Sequence, residues 1–152
     1  MKTLVLGLGN PILSDDGVGL QVVRQLKDRF DKPDLGFVES STAGLDLLDL
    51  IAGYDKLIII DAIKTEGGEA GQIYKLSLEE LRPTYHLASP HDINLATALE
   101  LGRRLGMALP QEIVIFAIEV ADVTTFGEKC TPIIETAITK AVRLVAKELS
   151  EH

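Results

Sequence analysis

The chain has 152 residues, and its 23 acidic side chains outnumber 15 basic ones to give a formal charge of −8. Its hydrophobic fraction of 46% excludes disorder as the main state, and its acidity argues against nonspecific nucleic-acid binding, which needs basic side chains. The single cysteine, Cys130, excludes an internal disulfide and indicates a reducing, cytoplasmic compartment. With neither a membrane-spanning run nor a signal peptide expected, we predict one soluble domain over residues 1–152, with no nucleic-acid and no membrane partner.

Short apolar runs alternate with helical periodicity in the first part of the chain. Residues 3–8 form a continuous apolar run that ends among glycines, which is typical of a strand buried on both faces. Apolar residues at helical spacing predict a helix that begins near Gly17. A second strand over 37–40 and a short helix over 45–51 follow. The β-prone run 57–60, which lies between a charged turn and Asp61, is the clearest strand.

The second part of the chain continues this alternation. Residues 65–71 form a loop rich in Gly and Glu, and residues 72–76 alternate weakly, as in an edge strand. A helix over 93–105, a buried strand over 113–118 and a last helix over 131–149 follow. This order predicts an α/β fold with three layers: a twisted, mostly parallel sheet of about five strands, with helices on both faces.

Four segments follow the strands of this sheet. Ligands of such sheets bind outside the carboxyl ends of the strands. The segments at those ends are residues 7–17, residues 39–44, Asp61 and Glu119. Any catalytic or ligand-binding site is therefore expected among them.

The glycines after the first strand suggest two nucleotide-related functions, which we weighed first. Gly7 and Gly9 begin a dinucleotide-binding fingerprint, but Ile12 occupies its third glycine position and nearby aspartates would repel phosphate. Residues 7–11 also resemble the opening of peptidyl-tRNA hydrolases. That resemblance ends there, because no histidine precedes His86. A tight strand exit explains the glycines without either function.

Asp16, Asp61 and His91 form the most informative set of polar residues. Taken singly, either aspartate is as well explained by helix capping or a loop, and His91 by a surface position. In the predicted fold, however, all three can reach one rim of the sheet. Two carboxylates and an imidazole suit a divalent metal with open coordination positions, whereas two close carboxylates alone suit an acid/base pair. Their spacing in the sequence does not decide between these two uses.

Several blocks of the sequence together resemble the hydrogenase maturation proteases. The blocks are residues 5–10 (VLGLGN), 15–19 (DDGVG), 42–44 (TAG), 47–48 (LL), 61–62 (DA) and 89–91 (SPH). The first two blocks carry most of the specificity, and the resemblance runs through nearly the whole chain. Asp16 stands where some members carry Glu, and Asp92 stands where many carry Gln.

The resemblance implies a cytoplasmic endopeptidase that acts on the large-subunit precursor of nickel–iron hydrogenases. Such an enzyme removes a C-terminal extension after nickel insertion and recognises nickel that the substrate brings, rather than a permanent metal of its own. The family's metal-contacting triad falls on Asp16, Asp61 and His91, which would be the catalytic and the metal-binding residues. It also implies a twisted sheet of about five strands, which agrees with the pattern of predicted elements.

Two loops are expected near the predicted site, and the same three residues also permit a different function. Residues 42–44 are expected to build a flexible rim around the cleft, and residues 65–71 form either a substrate-contacting flap or a plain solvated connector. A metal-binding chaperone that uses the same three residues without cleaving anything is the alternative function. Cys130, which has no histidine near it in sequence, is expected to be an ordinary small residue.

Overall fold

The computed structural model describes residues 1–41, 46–78, 80 and 95–151. In chain order the elements are β1 (Thr3–Leu8), a 3-10 helix (Ser14–Gly17), α1 (Val18–Arg29), β2 (Leu35–Ser40), α2 (Asp46–Ile51), β3 (Lys56–Ile63), β4 (Ile73–Ser77), α3 (Leu95–Arg104), β5 (Glu112–Glu119) and α4 (Pro132–Ser150). Among these helices, none has both the length and the apolar character that crossing a membrane requires.

The five strands form one sheet in the order β2-β1-β3-β5-β4. The pairs β1–β2, β1–β3 and β3–β5 are parallel, and only the edge strand β4 pairs antiparallel, with β5. The predicted five-strand, mostly parallel sheet is therefore confirmed. The order also places β1 and β3 side by side at the centre, so the segments that follow these two strands meet at the same edge.

Two hydrophobic cores lie on opposite faces of the sheet, which makes the fold three-layered. In β1, Val5 belongs to the core shared with α1 and α4, while Leu4 and Leu6 belong to the core shared with α2 and α3. The same alternation holds in β3, where Ile58 and Ile60 face the first core. This period of two is the geometry of strands that are covered on both sides, and it explains their nearly continuous apolar sequences.

Strand β3 extends further than its apolar run indicated. We expected a strand over 57–60 with Asp61 after it, but β3 continues to Ile63 and pairs with β5 up to the end. All eight residues of β3 are buried, Asp61 included. The hydropathy pattern placed the end of the strand too early, because a polar residue is usually taken as the end of an apolar run. The parallel pairing with β5 nevertheless continues through Asp61.

Helix α3, Leu95–Arg104, ends one residue before the predicted span 93–105 does, and the first two residues of that span lie outside the described ones. Helix α4, Pro132–Ser150, begins and ends one residue later than the predicted 131–149, and its proline lies in the first turn, where no N–H is needed.

Glycines allow α1 to lie close against the ends of β1 and β3. A Cβ on Gly19, in the first turn of α1, would lie 2.2 Å from the carbonyl oxygen of Ile60 and 2.8 Å from that of Leu8. A Cβ on Gly7 would meet the carbonyl oxygen of Gly19 at 2.6 Å. These are backbone atoms, which cannot move aside as a flexible side chain can. The approach of α1 to the sheet thus depends on the absence of side chains at both positions.

Replacing Gly19 should separate α1 from the sheet. We expect Gly19→Ala to lower the free energy of unfolding by at least about 2 kcal/mol, since the overpacking outweighs any gain in helix propensity. Urea unfolding followed by circular dichroism measures the loss. Gly127→Ala is the matched control, because no atom lies within 4 Å of a Cβ there. Equal stabilities of the two variants would contradict this account.

A buried ion cluster closes the opposite, amino edge of the sheet. Lys56, at the start of β3, is 1% exposed, and its Nζ donates to Glu148 Oε2 of α4 at 2.7 Å. Lys75 of β4 also contacts the Glu148 carboxylate, whose side chain is 5% exposed. Burial by itself would raise the pKa of Glu148, but the hydrogen bonds and charges of the two lysines outweigh burial and lower that pKa to about 2.

This cluster predicts a defined loss of stability in acid. The folded-state pKa of Glu148 lies below its ordinary value of 4.5, so its contribution is complete above pH 4.5 and is lost as the pH falls toward 2. We expect Glu148→Gln to lower the free energy of unfolding by about 3 kcal/mol at pH 7. The difference in this free energy between the variant and the wild type should become smaller below pH 4.5. Urea titrations from pH 2 to pH 7 measure this gap.

Glu112→Gln serves as the control for this titration. Glu112 lies 3.5 Å from Lys56 Nζ but is 48% exposed, so we expect a cost below about 1 kcal/mol. A gap between wild type and Glu148→Gln that does not change with pH would rule out the depressed pKa as its cause.

Candidate functional site

Asp16 lies in the 3-10 helix that connects β1 to α1, and it is 2% exposed. Helix capping was the alternative explanation for this residue, but neither the 3-10 helix nor α1 has a side-chain cap hydrogen bond. Instead, the backbone N–H of Asn10 donates to Asp16 Oδ2 at 2.9 Å. The chain after β1 therefore folds back onto the Asp16 carboxylate and fixes its orientation.

Asp61 lies within β3 near its carboxyl end and is 1% exposed. The backbone N–H of Ala62 donates to its Oδ1 at 2.7 Å. Because side chains alternate along a strand, Asp61 points to the face opposite Ile60, which is the face covered by α2 and α3. A carboxylate buried inside a strand of the central sheet is costly, which favours a functional role for it.

Close backbone contacts bring the surroundings of Asp16 and Asp61 together. Gly9 has a φ of +154°, and a Cβ there would lie 2.1 Å from the carbonyl oxygen of Asp16. Gly19, three residues beyond Asp16, lies against the carbonyl of Ile60, which immediately precedes Asp61. The 3-10 helix also contacts β3 directly. The structure therefore places the two aspartates at one edge of the sheet, over the ends of β1 and β3.

Asp15 has a structural role that the sequence did not reveal. It is fully buried, and its Oδ2 accepts the N–H groups of Ala121 and Asp122 at 3.0 and 2.9 Å. Its Oδ1 accepts the N–H of Thr131 at 2.7 Å. One carboxylate thus holds both ends of the loop 121–131 that joins β5 to α4. The sequence gives no sign of this role, because these partners lie more than 100 residues away in the chain.

Glu119, at the end of β5, anchors the loop that we considered as a flap. Its carboxylate accepts the N–H of Thr65 at 2.8 Å and also contacts the Thr65 and Tyr74 hydroxyls. The Glu119 carbonyl accepts the N–H of Gly71 at 2.8 Å. The loop between β3 and β4 is thus bound at both ends to Glu119, and this buried carboxylate is satisfied by structural contacts.

Cys130 is a buried core residue, as expected. It is 7% exposed and packs in the core beside α1 and α4. Burial, together with the negative charges of Asp15 and Glu135, raises the pKa of its thiol to about 12. A thiol with this pKa is protonated at neutral pH and does not act as a nucleophile.

The remaining predicted site residue, His91, and the predicted rim 42–44 lie outside the described residues. Among the residues described, there is no group of three or more His, Cys, Asp or Glu side chains that could hold a metal ion. The structure thus places two of the three predicted site residues together, and a three-ligand site stays a prediction.

Comparison with known proteins identifies the family of this fold and site. The sequence model described as "Hydrogenase maturation protease" matches residues 20–148. The chain belongs to the hydrogenase maturation protease family. It is similar to the hydrogenase 2 maturation protease of Escherichia coli K12, with 32% identity over 99% of this chain and 92% of that protein.

Solved structures agree with this assignment. The hydrogenase maturating endopeptidase HybD of Escherichia coli superimposes with a TM-score of 0.85 at 30% identity, over 99% of this chain and 93% of that one. The [NiFe] hydrogenase maturation protease HybD of Thermococcus kodakarensis gives a TM-score of 0.76 at 27% identity, over 97% and 98% of the two chains. The three-layer α/β architecture is therefore shared with these maturation proteases.

The role of Asp15 in this family member can be tested by removing its carboxylate. In Asp15→Ala, the N–H groups of Ala121, Asp122 and Thr131 lose their acceptor, and we expect a loss of about 3 kcal/mol in the free energy of unfolding. Hydrogen exchange at these three amides should accelerate. Glu66→Ala, at an exposed carboxylate in the loop after β3, should change neither quantity. Undiminished amide protection in Asp15→Ala would contradict the assignment.

Proposed function

We propose that this chain is the endopeptidase that removes the C-terminal extension from the large-subunit precursor of a nickel–iron hydrogenase, after nickel has been inserted. The observation that carries the proposal is the pair of buried carboxylates, Asp16 and Asp61, at one sheet edge of a chain that belongs to the maturation protease family. The family supports the processing of hydrogenase precursors. The dependence on nickel is what the family resemblance implies, and the oxygen and nitrogen donors of the proposed residues suit such an ion.

Asp16, Asp61 and His91 are the proposed contacts to nickel, which the substrate brings with it. The position of helix α3, which follows His91 in the chain, supports this proposal. Helix α3 begins four residues after His91 and packs in the core on the face to which Asp61 points. The chain after α3 reaches the amino edge, where the Gln111 N–H donates to the Asp55 carbonyl at 3.1 Å. The start of α3 therefore lies toward the carboxyl edge.

The proposed chemistry is hydrolysis of one peptide bond by an activated water. A carboxylate, Asp16 or Asp61, accepts a proton from the water as it attacks the scissile carbonyl, and the amine of the extension leaves with a proton. Two carboxylates and an imidazole are oxygen and nitrogen donors that suit a borderline divalent ion such as nickel. The nickel would hold the precursor at this edge and polarise the carbonyl. No thiol of the described residues competes for this role, since Cys130 is buried and protonated.

Incubation with two forms of the precursor tests the proposal. Purified protein is mixed with nickel-loaded or nickel-free large-subunit precursor, and the large subunit is weighed by mass spectrometry. We expect shortening only of the nickel-loaded form. Shortening of both forms would contradict the nickel requirement. Transfer of nickel without any shortening would instead identify a metal-binding chaperone, the alternative function that the same three residues permit.

Substitution of the three residues tests their assignment. We expect Asp16→Asn, Asp61→Asn and His91→Ala each to reduce cleavage at least about 100-fold, while the melting temperature stays close to that of the wild type. An amide keeps the shape of each aspartate and one acceptor oxygen, so the fold should tolerate it. Asp28→Asn, at an exposed carboxylate in the last turn of α1, is the matched control and should cleave normally. A large fall in melting temperature for any variant would assign that residue a structural role.

A further inference from the structure

Exposed apolar side chains gather at the carboxyl edge of the sheet. Among the described residues, three of the six exposed large hydrophobic side chains lie there: Ile12, Phe126 and Ile133. Phe126 is the most exposed of the six, at 79%. Exposure of a whole aromatic ring is unfavourable in water, and exposed apolar side chains that lie together are typical of protein–protein contacts. The exposed group around Phe126 is therefore a candidate contact surface.

The loop that carries Phe126 is held in one conformation. Asp15 binds both ends of the loop 121–131. Within the loop, Asp122 Oδ1 accepts the N–H groups of Thr124 and Thr125, each at 3.0 Å. Just after Phe126, the Gly127 N–H donates to the Ile12 carbonyl at 2.8 Å. An aromatic side chain presented on a fixed loop loses little conformational entropy on binding, which is the property of an interface anchor.

The same contacts join Phe126 to the proposed active site. The Gly127 carbonyl accepts the N–H of Ser14 at 2.9 Å, and Ser14 precedes Asp16 by two residues. Ser14 has a φ of +47°, and among the described residues it alone combines a positive φ with a side chain. Backbone strain of this kind persists only where surrounding contacts enforce it. Phe126 and Ile12 thus lie on two neighbouring chain segments that are hydrogen-bonded to each other, and one of these segments leads directly to Asp16.

The charge of this edge indicates the chemistry of the partner. Three of the described segments at this edge, residues 9–17, 61–72 and 119–131, carry eight acidic residues and two basic ones. Two copies of such an edge would repel each other, which argues against self-association through Phe126. A partner with an apolar surface beside basic side chains would be attracted to it.

We propose that Phe126, together with Ile12, is the anchor at which the precursor protein docks, through an apolar patch flanked by basic residues, so that its scissile bond reaches Asp16 and Asp61. This inference rests on the proposed function, because it takes the hydrogenase precursor as the occupant. It assigns recognition of the folded precursor to a surface that is separate from the metal-contacting residues. Phe126 is therefore a specificity residue and not a catalytic one.

Binding measurements with matched variants test the docking surface. The Kd for the full-length large-subunit precursor is measured for wild type, Phe126→Ala, Ile12→Ser and Leu105→Ala. Leu105 is the control, since it is 69% exposed but follows α3, near the amino edge. We expect Phe126→Ala to raise Kd at least about tenfold, Ile12→Ser to raise it less, and Leu105→Ala to leave it unchanged. Binding should also weaken as salt increases.

The binding and cleavage results together distinguish the docking surface from the proposed function. The docking surface is overturned if the Kd of Phe126→Ala equals that of Leu105→Ala. It is also overturned if size-exclusion chromatography shows a wild-type dimer that Phe126→Ala converts to a monomer, because a second copy would then be the occupant. Cleavage is followed in parallel. Phe126-dependent binding without any cleavage by the wild type would overturn the proposed function and leave the docking surface standing, whereas absence of binding by the wild type would overturn both.

Discussion

One buried carboxylate joins the two loops that frame the carboxyl edge of the sheet. Asp15 belongs to the 3-10 helix after β1, yet its carboxylate accepts the N–H groups of Ala121, Asp122 and Thr131, which lie at the other end of the chain. Three backbone N–H groups donate to this one buried carboxylate, and hydrogen bonds to a charged acceptor are stronger than those between neutral groups. Asp16 and Phe126 owe their positions to this contact, because one follows Asp15 directly and the other lies on the loop that Asp15 closes.

The two edges of the sheet use buried carboxylates for different purposes. At the amino edge, Glu148 is neutralised by Lys56 and Lys75, so its charge is paired inside the protein. At the carboxyl edge, Asp15 and Glu119 instead accept hydrogen bonds from backbone groups, and within the described part of the chain neither carboxylate forms a salt bridge. The described segments at the carboxyl edge also carry more acidic than basic residues, and an acidic edge attracts cations and basic surfaces.

Tight backbone packing explains why this edge can hold two aspartates. Glycines at positions 7, 9 and 19 let the start of α1 descend onto the ends of β1 and β3. Any side chain there would push the 3-10 helix away from Asp61. The family resemblance of the first sequence blocks therefore has a steric basis: the glycines of VLGLGN and DDGVG determine the distance between two chain segments.

The sequence by itself determined the fold class, the strand alternation and the two aspartates as site candidates. Hydrophobic periodicity and glycine position are local properties, and the rule that ligands bind at the carboxyl ends of parallel strands extended them to a site. The structural duties of Asp15 and Glu119, the continuation of β3 through Asp61, and the Lys56–Glu148 pair were decided only by the tertiary structure. Each of these depends on partners many residues away, and a hydrogen bond across such a separation leaves no periodic signal in the chain.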